Sequence, residues 1–176
     1  RDVDHADRRH DATQRLQDRL IATGAVLIFY RGGWCPYCNT QLQDLRKVLP
    51  AIRQSGVETL FLSGDRPEIL YSSLKQDTQQ TVSERDYTIL SDADLDAAMA
   101  LGIAFRVPDS TLERYRQRDW DLSGSSMVKH DALPVPAGFV IDKDGRVAFA
   151  YANPDYKVRL PAEEVKAAVD AVVSGD

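Results

Sequence analysis

Short apolar runs alternating with helical hydrophobic periodicity predict an α/β domain with a central mixed, mostly parallel sheet flanked by helices. Three observations carry this expectation. Ala25–Tyr30 is a nearly unbroken apolar run of strand length, the pattern of a strand covered on both faces. Leu42, Leu45, Val48, Leu49 and Ile52 then recur at helical spacing. Finally, Asp142-Lys143-Asp144-Gly145 lies between Phe139–Ile141 and Arg146–Tyr151, a strong hairpin signal near the end of the chain.

The remaining elements follow in order. Asp11 to Ile21 reads as an amphipathic helix with Ala12, Leu16 and Leu20 on one face, ended by Gly24. Gly32 and Gly33 break the strand after Tyr30, and a helix begins near Pro36. Pro50 should kink or locally break that helix, and Gly56 closes it. Val57–Ser63 is a second buried strand, Arg66-Pro67-Glu68 opens a helix, and Tyr87–Leu90 is a third strand. Ser91 or Asp92 caps a helix running through Leu95, Ala98 and Met99 to Gly102. Arg106 to Asp131 is polar and charged, with one helical stretch near Leu112–Tyr115, and reads as an inserted excursion. Pro161 to Val173 closes the chain as a helix with Val165, Ala168, Val169 and Val172 inward. Residues 1–10 read as an N-terminal extension and residues 11–176 as one domain carrying the insert at 106–131. No internal repeat or low-complexity segment divides them.

The chain has 176 residues, 43% hydrophobic and 28% charged, ordinary values for a soluble globular domain. With 22 basic and 27 acidic residues the formal charge is −5, which argues against nucleic acid or an anionic membrane as the main partner. No apolar run approaches the roughly 20 residues of a membrane-spanning helix. The segment from Arg1 to Leu20 has no apolar core of the kind a signal peptide needs. A cytoplasmic location is therefore expected. The sequence starts at Arg1 rather than Met, so a cleaved leader and a periplasmic or secreted location stay open.

The chemistry is concentrated in Cys35 and Cys38, the two cysteines of the chain, placed where the first apolar strand gives way to a helix. The thiolate is the reactive form of cysteine, and a helix N-terminus favours negative charge. Two sulfurs spaced across the first helical turn can also close into a disulfide with little movement. Pro36 lacks the N–H that would be wasted at a first helical position, and Trp34 can shield a reactive sulfur from solvent. A structural zinc site would need two further ligands, and His5, His10 and His130 lack the paired spacing of a finger, so no metal is expected. No Gly-rich nucleotide fingerprint follows any strand, so no cofactor is expected and reducing power must come from a partner thiol. Asp65, in Ser63-Gly64-Asp65, reads as a turn residue or as a nearby proton acceptor. Arg31 reads as a surface or structural side chain.

After its apolar strand, Trp34-Cys35-Pro36-Tyr37-Cys38 resembles the thioredoxin active-site motif. Val135-Pro136-Ala137-Gly138-Phe139-Val140-Ile141-Asp142 resembles the segment that carries the cis-proline facing that motif in thioredoxin-like proteins. The wider pattern includes Phe29 to Asn39, Leu62-Ser63-Gly64-Asp65 and Phe139 to Gly145. It resembles the peroxiredoxin-like branch of the alkyl hydroperoxide reductase and thiol-specific antioxidant family, over roughly residues 11 to 173. The resemblance implies a thioredoxin-like fold with a cis bond before Pro136, Pro134 being the fallback. It also implies a peroxidase recycled by thioredoxin or a similar thiol donor.

Two registers follow from it. On the thioredoxin pattern Cys35 is the exposed nucleophile and Cys38 resolves. On the gap-free peroxiredoxin pattern Cys38 takes the peroxidatic position. Arg31 then replaces the expected proline, Cys35 replaces a threonine or serine, and Ala137 and Gly138 stand where a pocket arginine is expected. Burial of the second cysteine of such a pair favours Cys35 as the attacking group, with Cys38, Trp34, Pro36, Arg31 and Pro136 around it. The expected function is a thioredoxin-dependent peroxidase acting on hydrogen peroxide or organic hydroperoxides. A thiol–disulfide oxidoreductase acting on protein disulfides is the alternative. A non-enzymatic redox-sensing or binding module is the alternative of another class. A homodimer is the candidate assembly.

Overall fold

The structure, a computed structural model, describes residues 23–82, 87–118 and 122–175. The helix expected over Asp11–Ile21 and the N-terminal extension lie outside the described residues. Chain order runs β1 (Ala25–Tyr30), α1 (Pro36–Leu45), α2 (Leu49–Gln54), β2 (Glu58–Ser63), α3 (Gln76–Val82), β3 (Thr88–Ser91), α4 (Asp96–Ala100) and β4 (Ala104–Arg106). It continues with α5 (Asp109–Arg116), α6 (Ser126–His130), β5 (Ala132–Pro134), β6 (Ala137–Ile141), β7 (Val147–Ala152) and α7 (Ala162–Ser174). A 3-10 turn at Pro67–Ile69 stands where a helix was expected to open.

Five strands form the main sheet in the order β3-β2-β1-β6-β7. β1 pairs parallel with β2, and β2 with β3, whereas β6 runs antiparallel to both β1 and β7. β1 is thus central, and both of its faces are covered. Val26, Ile28 and Tyr30 pack with Leu42, Leu45, Ile52, Val165 and Val169 from α1, α2 and α7. Phe29 packs on the opposite face with Leu60, Leu62, Ala98 and Phe139, meeting Phe139 edge-on at 6.1 Å between ring centroids. The unbroken apolar run in the sequence has this two-sided burial as its cause.

The helix after β1 does break. Its first segment ends at Leu45, and Pro50 sits in the first turn of α2, where its missing N–H costs nothing. All five apolar residues of that face remain buried on either side of the break. The hairpin also forms as expected: Asp142 Oδ1 accepts the amides of Asp144 and Arg146, and Gly145 takes φ +79°.

The 106–131 segment is more than an excursion. β4 and β5 pair antiparallel and pin its base. The Ser126 amide donates to the Gly64 carbonyl at 2.6 Å and the Arg66 amide to that of Gly124 at 2.8 Å, which stitches the segment to the loop after β2. Leu112, Tyr115, Leu122 and Met127 are buried in the main core. The polar composition hid this, because the buried positions are few and widely spaced. No helix among the described residues is long and apolar enough to cross a membrane.

Candidate active site

β1 ends at Tyr30, and the next eight residues deliver Arg31, Cys35 and Cys38 to one end of the sheet. The turn is held from two sides. Asp65, at the end of β2, accepts the Gly33 amide at 2.7 Å and the Ser73 hydroxyl at 3.0 Å. Gly33 is required there: a Cβ would lie 2.5 Å from the backbone carbon of Ser73 and 2.7 Å from the Leu74 nitrogen. Burial raises the Asp65 pKa, while the hydrogen bonds from Gly33 and Ser73 oppose that rise. Asp65 therefore anchors the turn at Gly33 from across the sheet end, a role that neither sequence reading of Asp65 had given it.

Asn39 holds the other side. Its Nδ2 donates to the carbonyls of Gly33 at 2.6 Å and Cys35 at 2.9 Å, and its Oδ1 accepts the Lys75 amide at 2.9 Å. Replacing Asn39 with alanine removes the side-chain partner of the Gly33 carbonyl and of the Lys75 amide, untying the turn before α1 from the segment before α3. We expect a loss of about 2–4 kcal/mol in chemical unfolding, with Cys35 alkylation losing its single-phase time course.

Cys35 is the N-cap of α1, with extended backbone (φ −84°, ψ 117°), and Pro36 occupies the first turn. The Cys38 and Asn39 amides both donate to the Cys35 carbonyl at 3.1 Å. Both sulfurs are free thiols. The Cys35 thiol falls from its ordinary value to about 6: a hydrogen bond from Cys38 is the main cause, burial opposes it, and the charges of Arg31 and Arg159 assist. Cys38 is pushed up, first by burial and then by the neighbouring Cys35 sulfur. The pair therefore loses its first proton at Cys35 and holds the second on Cys38.

The expected exposure of Cys35 is corrected. Its exposure is 1%, against 0% for Cys38. Trp34, Tyr37, Tyr115 and Tyr156 enclose it in a cavity of ≈ 40 Å³ together with Arg31, Pro36 and Arg118. About 10–15 Å³ suffices for one water, so this cavity admits a molecule the size of hydrogen peroxide.

Arg31 is likewise no surface residue. It is 4% exposed, its guanidinium lies 4.3 Å from the Tyr156 ring centroid, 5.1 Å from that of Trp34 and 5.3 Å from that of Tyr115, and it donates to the Tyr115 hydroxyl. The aromatic cage lets a buried cation stand beside the thiols.

Arg159 is the functional side chain that sequence reasoning missed. One of its terminal nitrogens lies 3.2 Å from Cys38 Sγ and 3.6 Å from Cys35 Sγ, the other donates to Gln41 Oε1 at 3.2 Å, and Nε donates to the Tyr156 carbonyl at 2.7 Å. It lies in the loop between β7 and α7, where Asn153 Oδ1 accepts the Asp155 amide and Asp155 Oδ1 accepts the Lys157 amide. The only sequence signal was Asn153-Pro154-Asp155, turn chemistry that folds this loop back over the motif. An arginine thus reaches the sulfurs from twenty residues beyond Phe139 rather than from beside it.

The cis bond expected before Pro136 is also corrected: among the described residues no peptide bond is cis, so the bonds before Pro136 and Pro134 are both trans. Trans is the lower-energy form by about 0.5–1 kcal/mol for X–Pro bonds, and Arg159 rather than an inverted backbone carries polar groups to the sulfurs. Pro136 is buried and lines a second, larger cavity together with Arg31, Tyr115 and Tyr156.

Among the described residues no group of three or more His, Cys, Asp or Glu side chains could hold a metal ion. The one described histidine, His130, is exposed beside Asp94. The site is therefore two thiols, the guanidinium groups of Arg31 and Arg159 beside them and an aromatic enclosure, a set able to ionise one sulfur and stabilise developing negative charge next to it.

A sequence model of the AhpC/TSA family matches residues 5–150. No curated protein sequence matches the chain significantly. Among solved structures, AhpC of Enterococcus faecalis superposes with a TM-score of 0.62 at 17% identity, over 85% of this chain and 74% of that one. The mitochondrial 2-Cys peroxiredoxin of Plasmodium falciparum gives 0.63 at 18% identity, over 92% and 84%. Peroxiredoxin Q of Xanthomonas campestris gives 0.59 at 19% identity, over 86% and 80%. At these identities the structural likeness establishes the thioredoxin-like fold those proteins share.

Proposed function

The chain belongs to the AhpC/TSA family of thiol-dependent peroxidases, and from that premise we propose that Cys35 attacks the peroxide while Cys38 resolves. The observation that carries this reading is the asymmetry of the pair: a Cys35 thiol lowered to about 6 inside a peroxide-sized cavity, beside a Cys38 thiol that burial holds protonated.

The Cys35 thiolate attacks one peroxide oxygen, the O–O bond breaks, and the departing oxygen takes a proton and leaves as water or an alcohol. Arg159 and Arg31 face the negative charge as it moves from sulfur to oxygen. Cys35 is then a sulfenic acid. The Cys38 thiol condenses with it, water leaves, and the disulfide forms across the first turn of α1. A dithiol reductant, thioredoxin or a similar protein, restores both thiols by exchange.

The enclosure favours a small peroxide over a protein disulfide, because Trp34, Tyr37 and Tyr156 crowd Cys35 in the reduced protein. Steady-state hydrogen peroxide consumption with a thioredoxin system, compared with reduction of an insulin-type disulfide, tests this. The reading predicts turnover of peroxide together with loss of both free thiols on oxidation. Insulin reduction without peroxide turnover would overturn it.

A further inference from the structure

We propose that the cavity next to the thiols selects organic hydroperoxides that carry a carboxylate. The inference deepens the peroxidase reading and rests on it. The cavity measures ≈ 360 Å³, far more than hydrogen peroxide needs, and shares Arg31, Tyr115, Arg118 and Tyr156 with the small enclosure of Cys35. Its apolar wall comes from Phe105, Val107 and Leu133, supplied by the 106–131 segment and the strands that pin it. Arg31, Arg114, Arg118 and Lys157 also line it, and among the described residues no carboxylate does.

Two acids of α5 face elsewhere. Asp109 pairs with Arg106 at 3.3 Å and Glu113 with Arg116 at 3.8 Å, on the outer surface of α5. In a chain of net charge −5, Arg31, Arg114 and Lys157 around a cavity with one apolar wall mark it for an anion with a hydrophobic body. Arg31 adds an independent sign. Although it is only 4% exposed, its Nε has no hydrogen-bond partner, and the side chain lines both cavities. Hydrogen peroxide cannot use these features; an amphiphilic acid can. Its carboxylate pairs with the outer cations, its body covers the apolar wall, and its hydroperoxide group turns toward Cys35. The chemistry is that of the peroxidase cycle: sulfur gains one oxygen, the O–O bond breaks, and the hydroxy acid leaves after taking a proton from water.

The experiment is single-turnover oxidation of the reduced protein, followed by stopped-flow tryptophan fluorescence. The probes are 4-carboxycumene hydroperoxide and its methyl ester, which differ by one charge and little in shape. At low ionic strength the acid is expected to react roughly tenfold faster than the ester. Added salt narrows the ratio, and in an Arg114→Ala/Lys157→Ala protein it falls toward one. Each protein's own ester rate serves as its reference, so a general loss of fold cannot imitate the change. Equal rates for acid and ester in the wild-type protein overturn the proposal while leaving the peroxidase reading intact. So does a charge preference confined to the reduction of the disulfide by thiols. Failure of both probes and of hydrogen peroxide to oxidise the protein overturns the peroxidase reading itself.

Discussion

In Cys35→Ser protein, peroxide consumption is expected to fall by roughly 10³-fold or more, because the group that makes the S–O bond is gone. Cys38→Ser protein is expected to behave differently. Its first oxidation remains within about an order of magnitude of wild type, and a dimedone adduct accumulates at Cys35 because nothing resolves the sulfenic acid. Cys38 supplies the main hydrogen bond that lowers the Cys35 pKa, so the serine variant keeps a donor there and changes the rate little. The alternative register makes the opposite forecast: rapid sulfenic acid formation in Cys35→Ser and its loss in Cys38→Ser. Rapid-quench alkylation with peptide mass spectrometry separates the two.

The second large effect belongs to Arg159. Its guanidinium touches both sulfurs, and in Arg159→Met protein peroxide oxidation at neutral pH is expected to slow by roughly 10²-fold, the scale on which one charge-stabilising donor acts. The pH profile should move as well. Losing a nearby cation disfavours the thiolate, so the inflection for Cys35 rises above 6. Arg159→Lys should recover part of the rate and part of the shift, since the charge returns without the paired donors that span sulfur and Gln41. A merely structural role for Arg159 would lower the melting temperature and leave the inflection in place.

Much of this architecture was legible from local pattern. The strand at Ala25–Tyr30, the break before Pro50, the Asp142–Gly145 hairpin and the closing helix each depend on nearest neighbours along the chain, and each formed. Cys35 and Cys38 were legible for the same reason: their spacing, Pro36 and the preceding strand lie within one short segment. What sequence could not reveal is whatever arrives from far along the chain. Arg159 reaches the sulfurs over more than a hundred residues, and Tyr115 meets Arg31 across a difference of 84. Neither is marked by its own residue type, because a single arginine or tyrosine in a polar stretch usually faces solvent. The surface alternative for Arg31 failed for that reason: its burial depends on three rings from three separate segments. The cis bond before Pro136 was inferred from resemblance, and the trans bond found there shows that the motif's neighbour differs in this chain. Asn39, two hydrogen bonds from the active loop, looked like any polar residue early in a helix.

The central claim is that Cys35, and not Cys38, is the thiolate at neutral pH. Its most direct test is the rate of iodoacetamide alkylation from pH 4.5 to 9, resolved by peptide mass spectrometry. Labelling at Cys35 should come first, rise about tenfold per pH unit at the acid end, bend near pH 6 and level off by about pH 7.5, with Cys38 unlabelled over that range. First labelling at Cys38, or a Cys35 inflection at the ~8.5 of a free thiol, would contradict the account.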